Sequence, residues 1–197
     1  MYRPPQVIVG AKLPLRPMHV WAIRVRLQIE RRLRDLALFD IALDSKLRGC
    51  DVVSLRLADI VVGGSIRRRA IVIQQKTNRP VQFEIAEQAR HSILEWLQVR
   101  RGDSDGWLFP SRMVPGAHLS TRQYTRLLKG WIARIGLEPA NYGTHSLRRT
   151  KVSILYRKTG NLRACQLLLG HTKLESTIRY LGVELDDALE LSEALEL

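Results

Sequence analysis

The spacing of apolar residues changes twice along the chain, and this double change limits the fold more than any other feature of the sequence. From Met18 to about Asp44, Val20, Ile23 and Leu27 and then Leu33, Leu36 and Leu43 recur at helical spacing, with a second helix opening near Asp35. A short helix over about 50–56 follows the Arg48–Gly49 corner. Residues 58–62 and 66–73 are instead rich in Ile and Val and flank Gly63-Gly64, a pair able to take the positive φ angles of a two-residue hairpin. A third strand over about 81–85 follows a Gln75–Pro80 turn. Helical spacing returns at 86–99 through Ala89, Ile93, Trp96 and Leu97. Beyond a Gly/Pro-rich loop at 102–118, helices are predicted over about 120–135, from an N-cap at Thr144 to Lys158 with Gly160 as the stop, and over 161–168, 173–181 and 184–195. The expected fold is mainly α with one small three-stranded antiparallel sheet inserted early, an α+β arrangement.

Residues 1–17 contain four prolines and read as an irregular arm, 18–183 as one domain, and 184–197 as an acidic amphipathic helix. The formal charge is +13, and six of the nineteen acids lie from Glu184 onward, where there is no Lys or Arg, so residues 1–183 carry +19. A surplus this large in one small domain points to a polyanionic partner, nucleic acid before others. Cys50 and Cys165 are too far apart and too few for a zinc site or a disulfide framework, and both sit in apolar stretches, so both are expected to be buried and reduced. No signal-like segment and no apolar run of membrane-spanning length is present, which makes the cytoplasm the default compartment.

Two short segments carry groups suited to chemistry. His145 and Arg148 are three residues apart, so on a helix they share a face. An imidazole beside a permanent guanidinium grips an oxyanion and moves a proton near it. Such a pair is also common on a merely solvated helix face. Leu169-Gly170-His171-Thr172 is followed nine residues after the histidine by Tyr180. A lone histidine at a corner is ordinarily structural, and a tyrosine on an amphipathic helix is ordinarily core.

Taken together, Leu168-Leu169-Gly170-His171 with Tyr180 nine residues on, preceded by His145-x-x-Arg148, resembles the C-terminal signature of the tyrosine recombinases, the phage integrase family. The segment Lys46-Leu47-Arg48-Gly49-Cys50-Asp51 with Leu55-Arg56 resembles that family's first arginine box, and Lys76 falls in the turn where the family places its catalytic lysine. The resemblance covers about residues 20–185 and implies the recombinase catalytic-domain fold. It implies that Tyr180 attacks the scissile phosphate and leaves a 3′-phosphotyrosyl bond and a free 5′-hydroxyl. Arg48 and Arg148 would clamp the non-bridging oxygens, Lys76 would protonate the leaving 5′-oxygen, His145 would act as acid and base, His171 would hydrogen-bond the phosphate, and Asp51 would orient the cluster around Arg48. The bond energy is kept in the phosphotyrosine, so no cofactor and no catalytic metal is expected, and the chain has no GxxxxGK[ST] loop.

For DNA, Arg122, Arg126 and Lys129 form a stripe at i, i+4, i+7, which the resemblance places in the major groove; as residues alone they are equally a solvated face. Arg67, Arg68 and Arg69, with Arg79, are placed to follow the phosphates. Arg31-Arg32 and Arg100-Arg101 read more weakly. The implied partners are double-stranded DNA, further copies of the chain in a tetramer on two sites, and an accessory DNA-bending protein, with no membrane. In the family the terminal helix often docks on a neighbouring protomer; packing on its own domain is as well supported. Only forty-seven residues precede Arg48, where the family usually has a helical core-binding domain, so the expectation is a short form resembling the fimbrial-switch inversion enzymes. Lys46 stands where the family more often has glycine, and Arg149 where it more often has histidine. The competing readings are a recombinase-derived DNA-binding accessory or regulatory protein without turnover, a type IB topoisomerase, and a basic RNA-binding protein.

Overall fold

The structure, a computed structural model, describes residues 12–101 and 106–181; the acidic helix expected over 184–197 lies outside them. Helix α1 (Pro17–Ile29) opens on a proline, whose fixed φ and missing N–H suit a first turn. Arg31, at φ 51°, breaks the helical run, and α2 (Leu33–Ser45) begins two residues before Asp35. From Arg34 to Ser45 every residue of α2 is buried, so it is the axis of the core rather than a surface helix. It packs against α1, α5 (Glu87–Val99) and α7 (Thr144–Thr159). Its acids are paired, as buried charges must be. Asp40 accepts from Arg24 at 2.6 Å, Asp35 pairs with Arg32 at 2.7 Å, and Asp44 takes Lys151 at 2.6 Å and the Ala86 amide at 2.7 Å.

Lys46 ends α2 in the left-handed conformation, at φ 54°. A non-glycine residue there costs about 1–2 kcal/mol, which accounts for the glycine that the resembled family prefers. In this chain the lysine amine is buried, bonded to the Asp44 carbonyl at 2.5 Å and paired with Glu84 at 2.7 Å, and those contacts offset the strain.

The β region differs from the single three-stranded sheet expected. Residues 57–60 form a short helix, α4 (Leu57–Ile60), after α3 (Gly49–Val53). Strands β1 (Val61–Val62) and β2 (Ser65–Ile66) pair across Gly63-Gly64, both at positive φ as that turn requires. Strands β3 (Arg69–Ile73) and β4 (Pro80–Glu84) form a second antiparallel ladder, from Arg69 opposite Glu84 to Ile73 opposite Pro80. The chain changes partner at Arg67-Arg68. The Arg67 amide still bonds the Ile60 carbonyl, and the Arg68 carbonyl already accepts from Ile85. Two two-stranded ladders result.

Helix α6 (Thr121–Arg134) is capped by Ser120 Oγ on the Gln123 amide and buries Tyr124, Leu128, Trp131 and Ile132, with Trp131 edge-on to Phe39 at 5.7 Å. Gly143 rather than Thr144 takes the N-cap of α7, and Gly160 ends it as expected. Helices α8 (Leu162–Leu169) and α9 (Leu174–Leu181) pack with α7 around a small satellite core of Val152, Cys165 and Leu169. Cys165 is buried, but Cys50 is only half-buried, because it stands at the first turn of α3 rather than inside it.

Candidate functional site

Four separated stretches meet at one end of the core, and two glycines let them approach. A Cβ on Gly49 would stand 3.2 Å from both Cβ and Oγ1 of Thr144, so glycine admits the first turn of α3 against the first turn of α7. This brings Arg48 to His145 and Arg148. Gly170 caps α8 at φ 64°, and a Cβ there would stand 2.7 Å from Cγ2 of Val81 on β4. The corner that presents His171 is thus pressed against the second ladder.

Arg148 is 2% exposed. Its Nη2 donates to the Leu169 carbonyl, at the C-terminus of α8, at 2.7 Å. Its Nη1 is buried and has no hydrogen-bond partner among the described residues. A buried guanidinium N–H left unpaired is costly, and an arriving oxyanion is the natural acceptor for it. Tyr180 lies beside it. The Tyr180 ring meets the His171 ring edge-on at 5.4 Å, and the guanidinium carbons of Arg148 and Arg149 lie 6.0 and 5.2 Å from its centre. Its hydroxyl is 3.5 Å from the His145 carbonyl, the outer limit of a hydrogen bond. The satellite core that carries Tyr180 is far smaller than the one around α2, so the tyrosine sits on one of the less firmly anchored elements.

The electrostatics follow from crowding cations in a partly enclosed site. Burial pushes the Tyr180 phenol up to about 12, against the opposing pull of Arg148 and Arg149. Burial, then Arg148 and Arg48, bring His171 down to about 4. His145 is held below its ordinary value by desolvation and by Arg148, Arg48, Lys76 and Arg149. Both imidazoles are therefore neutral at neutral pH, and the phenol keeps its proton until a base removes it.

Lys76 is exposed at the turn between β3 and β4, close enough for its charge to act on His145. Asp51 holds that turn: its Oδ1 accepts the Gln75 amide at 2.9 Å. The Gln75 side chain adds a bond to Ser54 Oγ at 2.8 Å. The structure thus gathers Arg48, Lys76, His145, Arg148, His171 and Tyr180, with Asp51 beneath the lysine turn.

Three further residues belong to this assembly. Gln74 Oε1 accepts from Arg48 at 2.5 Å; it continues the inward-facing alternation of Ala70 and Val72, so a polar residue at a core position was the signal in the sequence. Thr177 Oγ1 contacts His171 Nδ1 at 3.1 Å and shares the helix face of Tyr180, three residues on. Arg149 donates to the Lys12 carbonyl at 2.9 Å while lying against the Tyr180 ring.

Of the outer basic residues, Arg122, Arg126 and Lys129 are exposed on the face of α6 opposite its buried residues, and Arg67, Arg68 and Arg79 are exposed. Arg69 borders a separate cavity of about 600 Å³ with Lys46, Lys151 and Lys158.

The phage integrase family profile matches residues 24–185. The tyrosine recombinase XerD of Rickettsia prowazekii is 30% identical over 154 residues, 73% of this chain and 49% of that protein. The tyrosine recombinase XerC of Mannheimia succiniciproducens is 31% identical over 150 residues, 75% of this chain and 48% of that protein. The chain thus spans about half the length of these curated relatives. Among solved structures, the XerA recombinase superposes with a TM-score of 0.74 at 18% identity, covering 98% of this chain and 66% of that one. The Tn1549 transposon integrase in complex with transposon right end DNA superposes with a TM-score of 0.76 at 16% identity, covering 96% and 67%. The mainly helical architecture with small antiparallel ladders is that of recombinase catalytic domains, and the chain belongs to the phage integrase family.

Proposed function

We propose that residues 18–183 are the catalytic domain of a site-specific DNA recombinase that cuts and rejoins strands through a covalent link to Tyr180. The observation that carries this reading is the buried Nη1 of Arg148, unpaired among the described residues, beside the Tyr180 ring and among Arg48, Lys76 and two neutral histidines. The six residues form an anion site with a nucleophile at its edge, a base near the nucleophile and a proton donor on the exposed turn.

In the proposed reaction the scissile phosphodiester binds Arg48 and Arg148, and its negative charge relieves the repulsion among the cations. Tyr180 Oη attacks phosphorus as its proton passes to His145. The P–O5′ bond breaks, the 5′-oxygen takes a proton from Lys76, and the 3′-phosphate remains on tyrosine. Charge on the equatorial oxygens is stabilised by the two guanidinium groups, with His171 donating a hydrogen bond. Reversal with another strand's 5′-hydroxyl rejoins DNA, and the bond energy is conserved throughout.

Exchange between two duplexes implies four copies on two sites, with an accessory DNA-bending protein as a further partner. Arg122, Arg126 and Lys129 would enter the major groove, and Arg67, Arg69 and Arg79 would follow phosphates. The test is incubation with a library of nicked duplexes drawn from host DNA, in which a nick beside the cut lets the short strand leave. Wild type should accumulate denaturant-resistant protein–DNA adducts at a discrete set of sequences, and Tyr180→Phe should give none. Equal adduct yields from both proteins would remove Tyr180 as the nucleophile.

A further inference from the structure

One fully buried amide borders three stretches of the site: Arg48, the turn that carries Lys76 and the Gly170 corner. The oxygen of Gln74 accepts Arg48 Nη1 at 2.5 Å and Thr77 Oγ1 at 3.0 Å. Thr77 directly follows Lys76. The backbone of Gln74 closes the same turn, donating to the Arg79 carbonyl at 2.9 Å and accepting the Asn78 amide at 2.8 Å. Its side chain is 0% exposed, and its Nε2 has no hydrogen-bond partner among the described residues. That nitrogen lies 3.9 Å from the place a Cβ would take on Gly170, so the amide also borders the corner presenting His171.

A buried, half-satisfied amide is a poor choice for packing alone, since an apolar side chain of the same size avoids the unpaired donor. The position directly follows β3 and continues the inward alternation of Ala70 and Val72, both apolar. Resting on the recombinase reading above, we infer that Gln74 is a positioning residue that couples the lysine turn to Arg48, so that the leaving-group acid and the phosphate clamp are placed as one unit. Arg48 stands at a helix corner and Lys76 on a solvent-exposed turn. Gln75 also ties that turn to Asp51 and Ser54, and neither of these bonds reaches Arg48.

The coupling is measurable without DNA. Burial holds His145 down first, and the charges of Arg148, Arg48, Lys76 and Arg149 add to it in that order. In Gln74→Leu Arg48 loses its partner and is free to swing toward solvent, and the turn loses its Thr77 tie while keeping its backbone bonds and those of Gln75 to Asp51 and Ser54. The His145 midpoint, followed by NMR in the full chain, should then rise toward 6.5. Thr77→Val, at an exposed position, leaves the Arg48 bond and removes only the turn's tie to the Gln74 oxygen, and should raise the midpoint by a smaller step. It also keeps the test decisive if the core variant fails to fold. In parallel, adduct formation on nicked duplex should fall about 100-fold in kcat for Gln74→Leu, the scale of an ångström misplacement, with KM within about twofold because backbone phosphates dominate affinity. A His145 midpoint unmoved in both variants overturns the coupling, whatever happens to the rate. A midpoint that rises while wild type itself forms no adduct leaves the coupling standing and refutes the recombinase reading instead.

Discussion

Alanine at Gly170 should damage stability and chemistry together, and its cost can be worked from the structure. The residue lies at φ 64°, where a Cβ costs about 1–2 kcal/mol in the left-handed region. The added methyl would also stand 2.7 Å from Val81 Cγ2, a buried side chain on β4 with little room to retreat. Overpacking of this kind typically costs about 1–3 kcal/mol more. Gly160 supplies the control. It has nearly the same φ, 62°, and a Cβ there would meet no described atom within 4 Å, so Gly160→Ala carries the backbone penalty alone. With a urea slope of about 2 kcal/mol/M, Gly170→Ala should lower the unfolding midpoint by about 1–2.5 M and Gly160→Ala by about 0.5–1 M. The larger change also falls beside Leu169, whose carbonyl holds Arg148, and beside His171. Adduct formation should therefore drop about 100-fold in Gly170→Ala, the scale expected for ångström displacements, and stay near wild type in Gly160→Ala. Equal midpoints for the two variants, or an unimpaired Gly170→Ala, would refute the claim that the pressed corner sets the site.

Other outcomes follow from the same geometry. A substrate with sulfur at the bridging 5′ position has a leaving group that needs no acid; it should restore most of the rate lost in Lys76→Ala and little of that lost in Arg148→Ala, and equal rescue would remove Lys76 from the proton-donor role. Protonation of His145 removes the base. Since its folded value is held below 6.5, the acid limb of kcat/KM should lie below 6.5, and bound phosphate should move the limb of kcat upward; coincident limbs would contradict the repulsion argument. Each of Arg122→Ala, Arg126→Ala and Lys129→Ala should reduce the slope of log affinity against log salt by about 0.9 if it meets a phosphate, or weaken binding to the preferred sequence at unchanged slope if it meets a base edge; unchanged slope and unchanged affinity together place that residue on the solvent side.

The longer helices were legible because each carries its own periodicity, whereas the one-turn α4 fell in a stretch read as strand; Gly160 and Gly63-Gly64 end or turn the chain by local backbone chemistry alone. The six site residues were legible as a resemblance, through order and spacing, although no single one stood out from a structural role. The rest depends on contacts between distant residues. The break into two ladders needs the Ile60 carbonyl and the Ile85 amide on either side of Arg67-Arg68. The burial of Lys46 has no local signal, because its carboxylate partner Glu84 lies thirty-eight residues on. Asp51 was expected to orient the cluster around Arg48; its carboxylate accepts from the backbone of the lysine turn, while the Arg48 side chain donates to Gln74, a residue twenty-six positions away whose inward place follows from the alternation of Ala70 and Val72.

The most direct test of the central claim is to digest a trapped protein–DNA adduct and find the linked residue by mass spectrometry. The account predicts a single phosphotyrosyl bond at Tyr180 to the 3′ end of the cut strand, with a free 5′-hydroxyl on the other. A link at any other residue, or a 5′-phosphotyrosyl end, would contradict it.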